Sequence, residues 1–166
     1  MKCPACSNNL SQIKVGEITV DACEGGCGGL WFDSHELKHF DEKHEAAGER
    51  LLHIKKDSSI SVDASARRSC PKCDNKIMLR HFMSVKQKVE IDECGNCGGI
   101  WLDTGELGGI RDQFETDQER ENAAGQYFTD TFGEELEKMR RASEEKQKRS
   151  NKLTSIFRFI CPSYYI

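Results

Sequence analysis

Short runs of alternating apolar and polar residues occur twice along the chain, and each is followed by a helical pattern. Ile13, Val15, Ile18 and Val20 flank Gly16, which predicts two short strands joined by a tight turn. Ile77, Leu79, Val85, Val89 and Ile91 predict a second hairpin with a longer connection. Downstream of each hairpin the spacing becomes that of one helix face: Leu37, Phe40, Ala47 and Leu51 in the first case, Leu107, Ile110 and Phe114 in the second. The turns that would open these helices read Asp33-Ser34-His35-Glu36 and Asp103-Thr104-Gly105-Glu106. Both have the order of a capping box, with Asp as N-cap and Glu at N3. Residues 54–69 are polar and small and predict a linker. From about residue 115 the chain is charged and helix-prone. Phe128, Phe132, Leu136 and Met139 there form a narrow stripe on a helix expected to end near residue 150. Such a stripe needs a partner, either the hairpin region or another protomer.

The two halves are copies of one another. Cys3, Pro4, Cys6 and Leu10 match Cys70, Pro71, Cys73 and Ile77, while Asp21 and Cys23 match Asp92 and Cys94. Cys27 through Asp33 match Cys97 through Asp103, and Glu36-Leu37 match Glu106-Leu107. The second copy has 20 residues between its Cys pairs against 16 in the first, and the first closes with CxxxC instead of CxxC. The extra residues belong in the hairpin turn, where insertion costs little loop entropy. This organisation divides the chain into a first module at 1–53, a linker at 54–69, a second module at 70–122, and a charged C-terminal helix with an apolar tail at 123–166.

Composition favours small units. Charged residues make up 31%, hydrophobic residues 37%, and the mean hydropathy is -0.66. A repeat of roughly 50 residues buries too little apolar surface to be stable unaided. No apolar stretch approaches the roughly 20 residues of a spanning helix, so no membrane partner is expected. Met1-Lys2-Cys3-Pro4 leads into no apolar segment, so no secretory signal and a reducing, cytoplasmic setting are expected. Residues 138–158 carry eight Lys/Arg against Glu144 and Glu145, a net of +6, inside a chain of formal charge -4. The acidic remainder is a poor non-specific binder of phosphate backbones, so any nucleic-acid contact would rest on residues 138–158.

The duplicated cysteines carry the chemistry. Each copy supplies two close Cys pairs, the complement of one tetrahedral zinc ion. Eight of the nine cysteines are used in this way. Gly28-Gly29 and Gly98-Gly99 follow the second pair of each set, where positive φ and close N–H approach to thiolate sulfur are useful. Pro4 and Pro71 stiffen the first turn of each. Zinc in such sites contributes roughly 10–16 kcal/mol in finger peptides, enough to fold a module of this size. Disulfides or redox thiols would explain neither Gly-Gly element nor the repeat, whereas iron fits the same four sulfurs. Four cysteines leave no open position for water or substrate, which argues against an enzyme.

His35-Glu36-Leu37-Lys38-His39 is a literal HExxH, in which the histidines would bind zinc and Glu36 would act as base in a metalloprotease. Against this remote alternative, Glu36 already has a capping role, and Glu106 occupies the same place without histidines. His44, His53 and His81 are isolated and read as solvated or packed side chains. Cys161 lacks a CxxC partner and reads as a free thiol. Trp31 and Trp101 are expected to pack the helix onto the hairpin, with an interface anchor as the competing role.

CPxC…DxC-x(2,3)-CGG-[IL]-W-[FL]-D-xx-EL resembles the bacterial transcription factor IIB-type zinc-ribbon family, here in tandem over roughly residues 1–40 and 70–110. The resemblance implies one Zn²⁺ at Cys3, Cys6, Cys23 and Cys27 and a second at Cys70, Cys73, Cys94 and Cys97. It also implies a small α+β fold of two zinc ribbons, each a short hairpin plus two Cys knuckles followed by a helix, and then the C-terminal helix. A link to transcription follows by analogy alone. Three functions compete. The first is an interaction module that recruits a protein partner through its ribbon faces and C-terminal helix, with homo-oligomerisation through that helix. The second is a nucleic-acid-binding regulator that grips phosphates through residues 138–158. The third, a redox or metal-buffering protein, would require labile metal.

Overall fold

Residues 1–41, 46–74 and 76–160 are described by a computed structural model, which gives backbone alone for residues 46, 47, 154, 155 and 157–160. Six strands are β1 (Ser11–Val15), β2 (Ile18–Ala22), β3 (Leu30–Phe32), β4 (Leu79–Phe82), β5 (Glu90–Glu93) and β6 (Ile100–Leu102). They form one antiparallel sheet in the order β1-β2-β3-β6-β5-β4. Among the described residues there are three α-helices: α1 (Ala46–Leu52) between β3 and β4, and α2 (Glu106–Arg111) and α3 (Asp117–Ile160) after β6. The chain divides into two units, Met1–Ala123 and the segment from Ala124 onward.

The β1–β2 hairpin turns through Gly16 and Glu17, with Val15 paired to Ile18. Gly16 has φ +63, the conformation a II′ turn requires at its first loop position. Ile13, Val15, Val20 and Ala22 alternate with exposed or half-exposed residues and face the core. The two ribbons, expected as separate modules, share the sheet because β3 pairs with β6. The register sets Trp31 opposite Trp101, Leu30 opposite Leu102, and Phe32 opposite Ile100. Corresponding residues thus meet around an internal pseudo-twofold centred on the two tryptophans.

Period-2 alternation then sorts the core into two layers. Leu30, Phe32 and Leu102 join Ile13, Val20, Leu37, Phe40, Leu51, Leu107 and Ile110 on the helix-covered face. Trp31 and Trp101 point the other way, into a cluster with Met78 and the cysteines. The tryptophans therefore do not pack the helices onto the ribbons as expected, because their strand neighbours occupy that face. Ile60 and Val62, within the segment expected to be a linker, pack on the cysteine layer. Backbone bonds tie the same segment to the first ribbon, from the Gly25 N–H to the Lys55 carbonyl and from the Asp57 N–H to the Gly26 carbonyl.

The helix starts differ from the expected capping boxes. The Asp33 N–H donates to Glu36 Oε2 at 2.8 Å and the Asp103 N–H to Glu106 Oε2 at 2.7 Å, so the Glu half of each box forms. The Asp side chains instead accept the indole N–H groups, Trp31 Nε1 to Asp33 Oδ1 at 3.2 Å and Trp101 Nε1 to Asp103 Oδ1 at 2.8 Å. Freed from capping, the chain begins its helices later. The first ribbon has a 3₁₀ turn at Leu37–His39 before α1, and α2 starts after Gly105. The side chain of Ala47, placed on the first helix face from sequence, lies outside the described residues, as do His44 and Cys161. Helix α3 runs ten residues past the expected end near 150, since neither Pro nor Gly occurs between residue 150 and Pro162. Among the described residues no helix is long and apolar enough to cross a membrane.

Candidate metal centres

Each sequence-predicted cysteine set comes together. One sulfur from each of Cys3, Cys6, Cys23 and Cys27 lies within 4.8 Å of the others, and the same holds for Cys70, Cys73, Cys94 and Cys97. The Sγ–Sγ separations of Cys3–Cys27, Cys6–Cys23 and Cys70–Cys97 are 3.5, 3.3 and 3.7 Å. A tetrahedron with Zn–S bonds of about 2.3 Å has edges of roughly 3.8 Å, so both cages match one zinc ion. The hairpins hold them in place: Cys23 and Cys94 directly follow β2 and β5, while the first pairs lie upstream of β1 and β4.

Thiol electrostatics support a cation at both positions. The Cys27 thiol beside it, then burial, raise Cys3 far above the ordinary thiol range. Burial, then the Cys6 thiol, push Cys23 up to about 12. Burial likewise pushes Cys70 up to about 12, against the N–H groups of Lys72 and Cys73. Cys6 and Cys94 fall to about 7, because N–H groups around them outweigh the opposing effect of burial. Cys6 and Cys94 ionise readily while Cys3, Cys23 and Cys70 resist, so a positive ion favours the thiolate form in both cages. Donors already point at these sulfurs: Ala5 N–H and Cys6 N–H toward Cys3 Sγ at 3.4 Å, and Cys73 N–H toward Cys70 Sγ at 3.2 Å. Asn96 Nδ2 adds a side-chain donor to Cys73 Sγ at 3.2 Å, a contact the sequence did not single out.

The Gly-Gly elements have two different tasks. Gly28 and Gly98 have φ +79 and +67, and their N–H groups close turns onto the Cys23 and Cys94 carbonyls. Gly29 and Gly99 are seats for the opposite ribbon's tryptophan. A Cβ at Gly29 would stand 2.7 Å from Trp101 Cη2, and one at Gly99 would stand 2.5 Å from Trp31 Cη2. Ser34 and Thr104, equivalent positions of the two copies, abut Gly98 and Gly28 across the same junction. Thr104 Oγ1 also donates to the Cys27 carbonyl. The two cages therefore sit on one interlocked layer.

The carboxylates under the tryptophans are anchored as well. Lys72 Nζ bonds both Asp33 oxygens at 2.9 Å, linking the second ribbon to the first. Arg68, with its side chain only 3% exposed, reaches Asp103 Oδ2 at 3.0 Å. Composition hid Arg68, since it lies at the end of an otherwise polar stretch.

The HExxH residues do not form a zincin site. His35 adopts φ +71 outside any helix, and the 3₁₀ turn covers only Leu37–His39. The i, i+4 pair therefore never shares an α-helical face. Among the described residues the two four-cysteine groups are the clusters with metal-binding geometry. His53 is exposed, and His81 Nε2 lies 2.8 Å from Glu93 Oε2 on the surface.

A family model described as transcription factor zinc-finger, the zinc ribbon of TFIIB type, matches residues 2–43 and 69–111. The chain belongs to this family. The two matches cover just over half of the chain and coincide with the two repeats, and the family identifies the ion in both cages as zinc. Neither a curated protein nor a solved structure matches the chain.

Proposed function

We propose that this tandem zinc ribbon is a non-catalytic adaptor that recruits a protein partner to a transcription-associated complex in the cytoplasm of a bacterium. Zinc with four cysteine ligands has no position for substrate, so each ion contributes folding energy and a rigid surface. The observation that carries the reading is the sheet edge at β4. Ile77 and Leu79, which share one face of the extended chain, are 59% and 63% exposed, and Phe82 is 44% exposed. Residues 68–70 pair with the chain at Ile77 and Met78, and beyond them β4 is the end strand of the sheet among the described residues, an edge suited to an extended partner segment that adds a strand.

The test is capture of partners on immobilised, zinc-loaded protein, with and without nuclease, comparing wild type with Leu79→Glu/Phe82→Lys. The expected result is a partner that survives nuclease and is lost with the variant. Capture that depends on nucleic acid, or that ignores the variant, would sink the reading. A second reading, a nucleic-acid-binding regulator, is favoured by the Lys/Arg of residues 138–158, of which those from Lys138 to Lys152 are exposed. It requires retardation of DNA or RNA by the intact protein at low salt, with steep loss as salt rises.

A further inference from the structure

Helix α3 carries two patterns, one apolar and one electrostatic, that agree on a single partner. From Ala124 onward almost every described residue is exposed. Phe128, Phe132, Leu136 and Met139 lie at spacings of four, four and three and form one stripe, with the rings of Phe128 and Phe132 5.2 Å apart. Leu153 and Ile156, further along the helix, are exposed too. The segment Ala124–Ile160 is about 55 Å long at 1.5 Å per residue. A helix with phenylalanines open to water gains its stability from packing, so the stripe calls for a cover.

Charge says what the cover is. Within the uncovered segment, residues 124–137 hold four Asp/Glu and no Lys/Arg, a net of -4, and residues 138–158 hold a net of +6. The segment is thus acidic toward its N-terminal end and basic toward its C-terminal end. A nucleic acid would be drawn to one half and repelled by the other. A second α3 laid antiparallel matches both halves at once, whereas a parallel copy sets like charge on like. The antiparallel direction also runs the Phe128–Phe132–Leu136 patch toward the partner end that carries Leu153 and Ile156. We propose that α3 pairs antiparallel with α3 of a second copy, through the stripe, to give a closed twofold dimer. This goes beyond the adaptor reading and does not depend on it, since the surface differs from β4. The pairing makes the protein bivalent, with one zinc-ribbon body per protomer.

Sedimentation equilibrium of the full-length, zinc-loaded, nuclease-treated protein tests the pairing. The expected mass is twice the 18.8 kDa chain, with a dissociation constant that rises several-fold from low to high salt. Phe132→Glu/Leu136→Glu should weaken the dimer by at least about tenfold while retaining two zinc ions and full helicity. Reversing Glu134, Glu135 and Glu137 to Lys, or Lys146, Lys148 and Arg149 to Glu, should weaken self-association in each variant. An equimolar mixture of the two should recover it, because the unchanged acidic half of one then meets the unchanged basic half of the other. A monomer under all conditions, a dimer insensitive to the Phe132/Leu136 variant, or loss of the dimer on nuclease treatment would overturn the pairing. A dimer strengthened by salt, or no recovery on mixing, would overturn its antiparallel direction.

Discussion

Substituting Gly99 by alanine should cost the protein about 3 kcal/mol, through a tryptophan that belongs to the other ribbon. The added Cβ would sit 2.5 Å from Trp31 Cη2 and 3.0 Å from Cε2. Ordinary carbon contacts are about 3.5–4.0 Å, so the shortfall is roughly 1 Å against a flat, rigid ring. Trp31 cannot swing aside cheaply. It is 1% exposed, its Nε1 is bonded to Asp33 Oδ1 at 3.2 Å, and its backbone lies in the β3–β6 ladder. Overpacking typically costs 1–3 kcal/mol, and a pinned neighbour places this site at the upper end. Gly95→Ala is the matched control: it follows a cysteine of the same knuckle, but its nearest neighbour is Leu79 Cδ1 at 3.8 Å. It should stay within about 0.5 kcal/mol of wild type, the usual range for a surface change. Denaturant unfolding in excess zinc gives both values. Adding Trp31→Phe, which removes the ring atoms in conflict, should recover part of the Gly99→Ala loss, a favourable coupling of about 1 kcal/mol or more. If Gly99→Ala is as mild as Gly95→Ala, or shows no coupling to Trp31, the interlocked junction is wrong.

Glu106 gives a dependence on pH. Burial pushes its carboxyl from 4.5 up to about 7 in the folded protein, against the Asp103 N–H that it accepts. A raised acid favours the protonated folded state, so its contribution is lost as pH rises from about 4.5 through about 7. Glu106→Gln should therefore gain on wild type across that window by about 1–3 kcal/mol, measured as the difference between parallel unfolding curves at constant free zinc. A constant difference across the window would rule out the burial effect. Gly125 sits inside α3 with nothing within 4 Å of an added Cβ, so Gly125→Ala should raise protection of neighbouring amides to hydrogen exchange by about 0.5–1 kcal/mol. Lower protection would mean that the glycine is needed at a close contact.

The metal ligands were legible because a tetrahedral site requires four donors at fixed short spacings, and the chain writes that spacing twice. The hairpins were legible from Ile13, Val15, Val20 and Ile91, since alternation is a local property. The shared sheet was not, because β3 and β6 have three residues each and pair across about 70 positions of sequence. Their apolar run carries no alternation that would tell a central strand from a buried turn. The motif does hold the missing signal. Gly-Gly-[Leu/Ile]-Trp contains both a seat and the ring that fills one, so two copies are self-complementary. The Asp residues misled for a related reason: an Asp before a helix reads as a cap, yet an indole two residues upstream competes for the same oxygen. Residues 54–69 look like a linker by composition, while Ile60, Val62 and Arg68 bind them to the cysteine layer.

Two closed, all-cysteine zinc sites are the centre of this account, and X-ray absorption at the zinc edge tests them most directly. The expected result is two zinc ions per chain, each with four sulfur neighbours at about 2.3 Å and no nitrogen or oxygen in the coordination shell. A single zinc per chain, or a light-atom ligand on either ion, would contradict it.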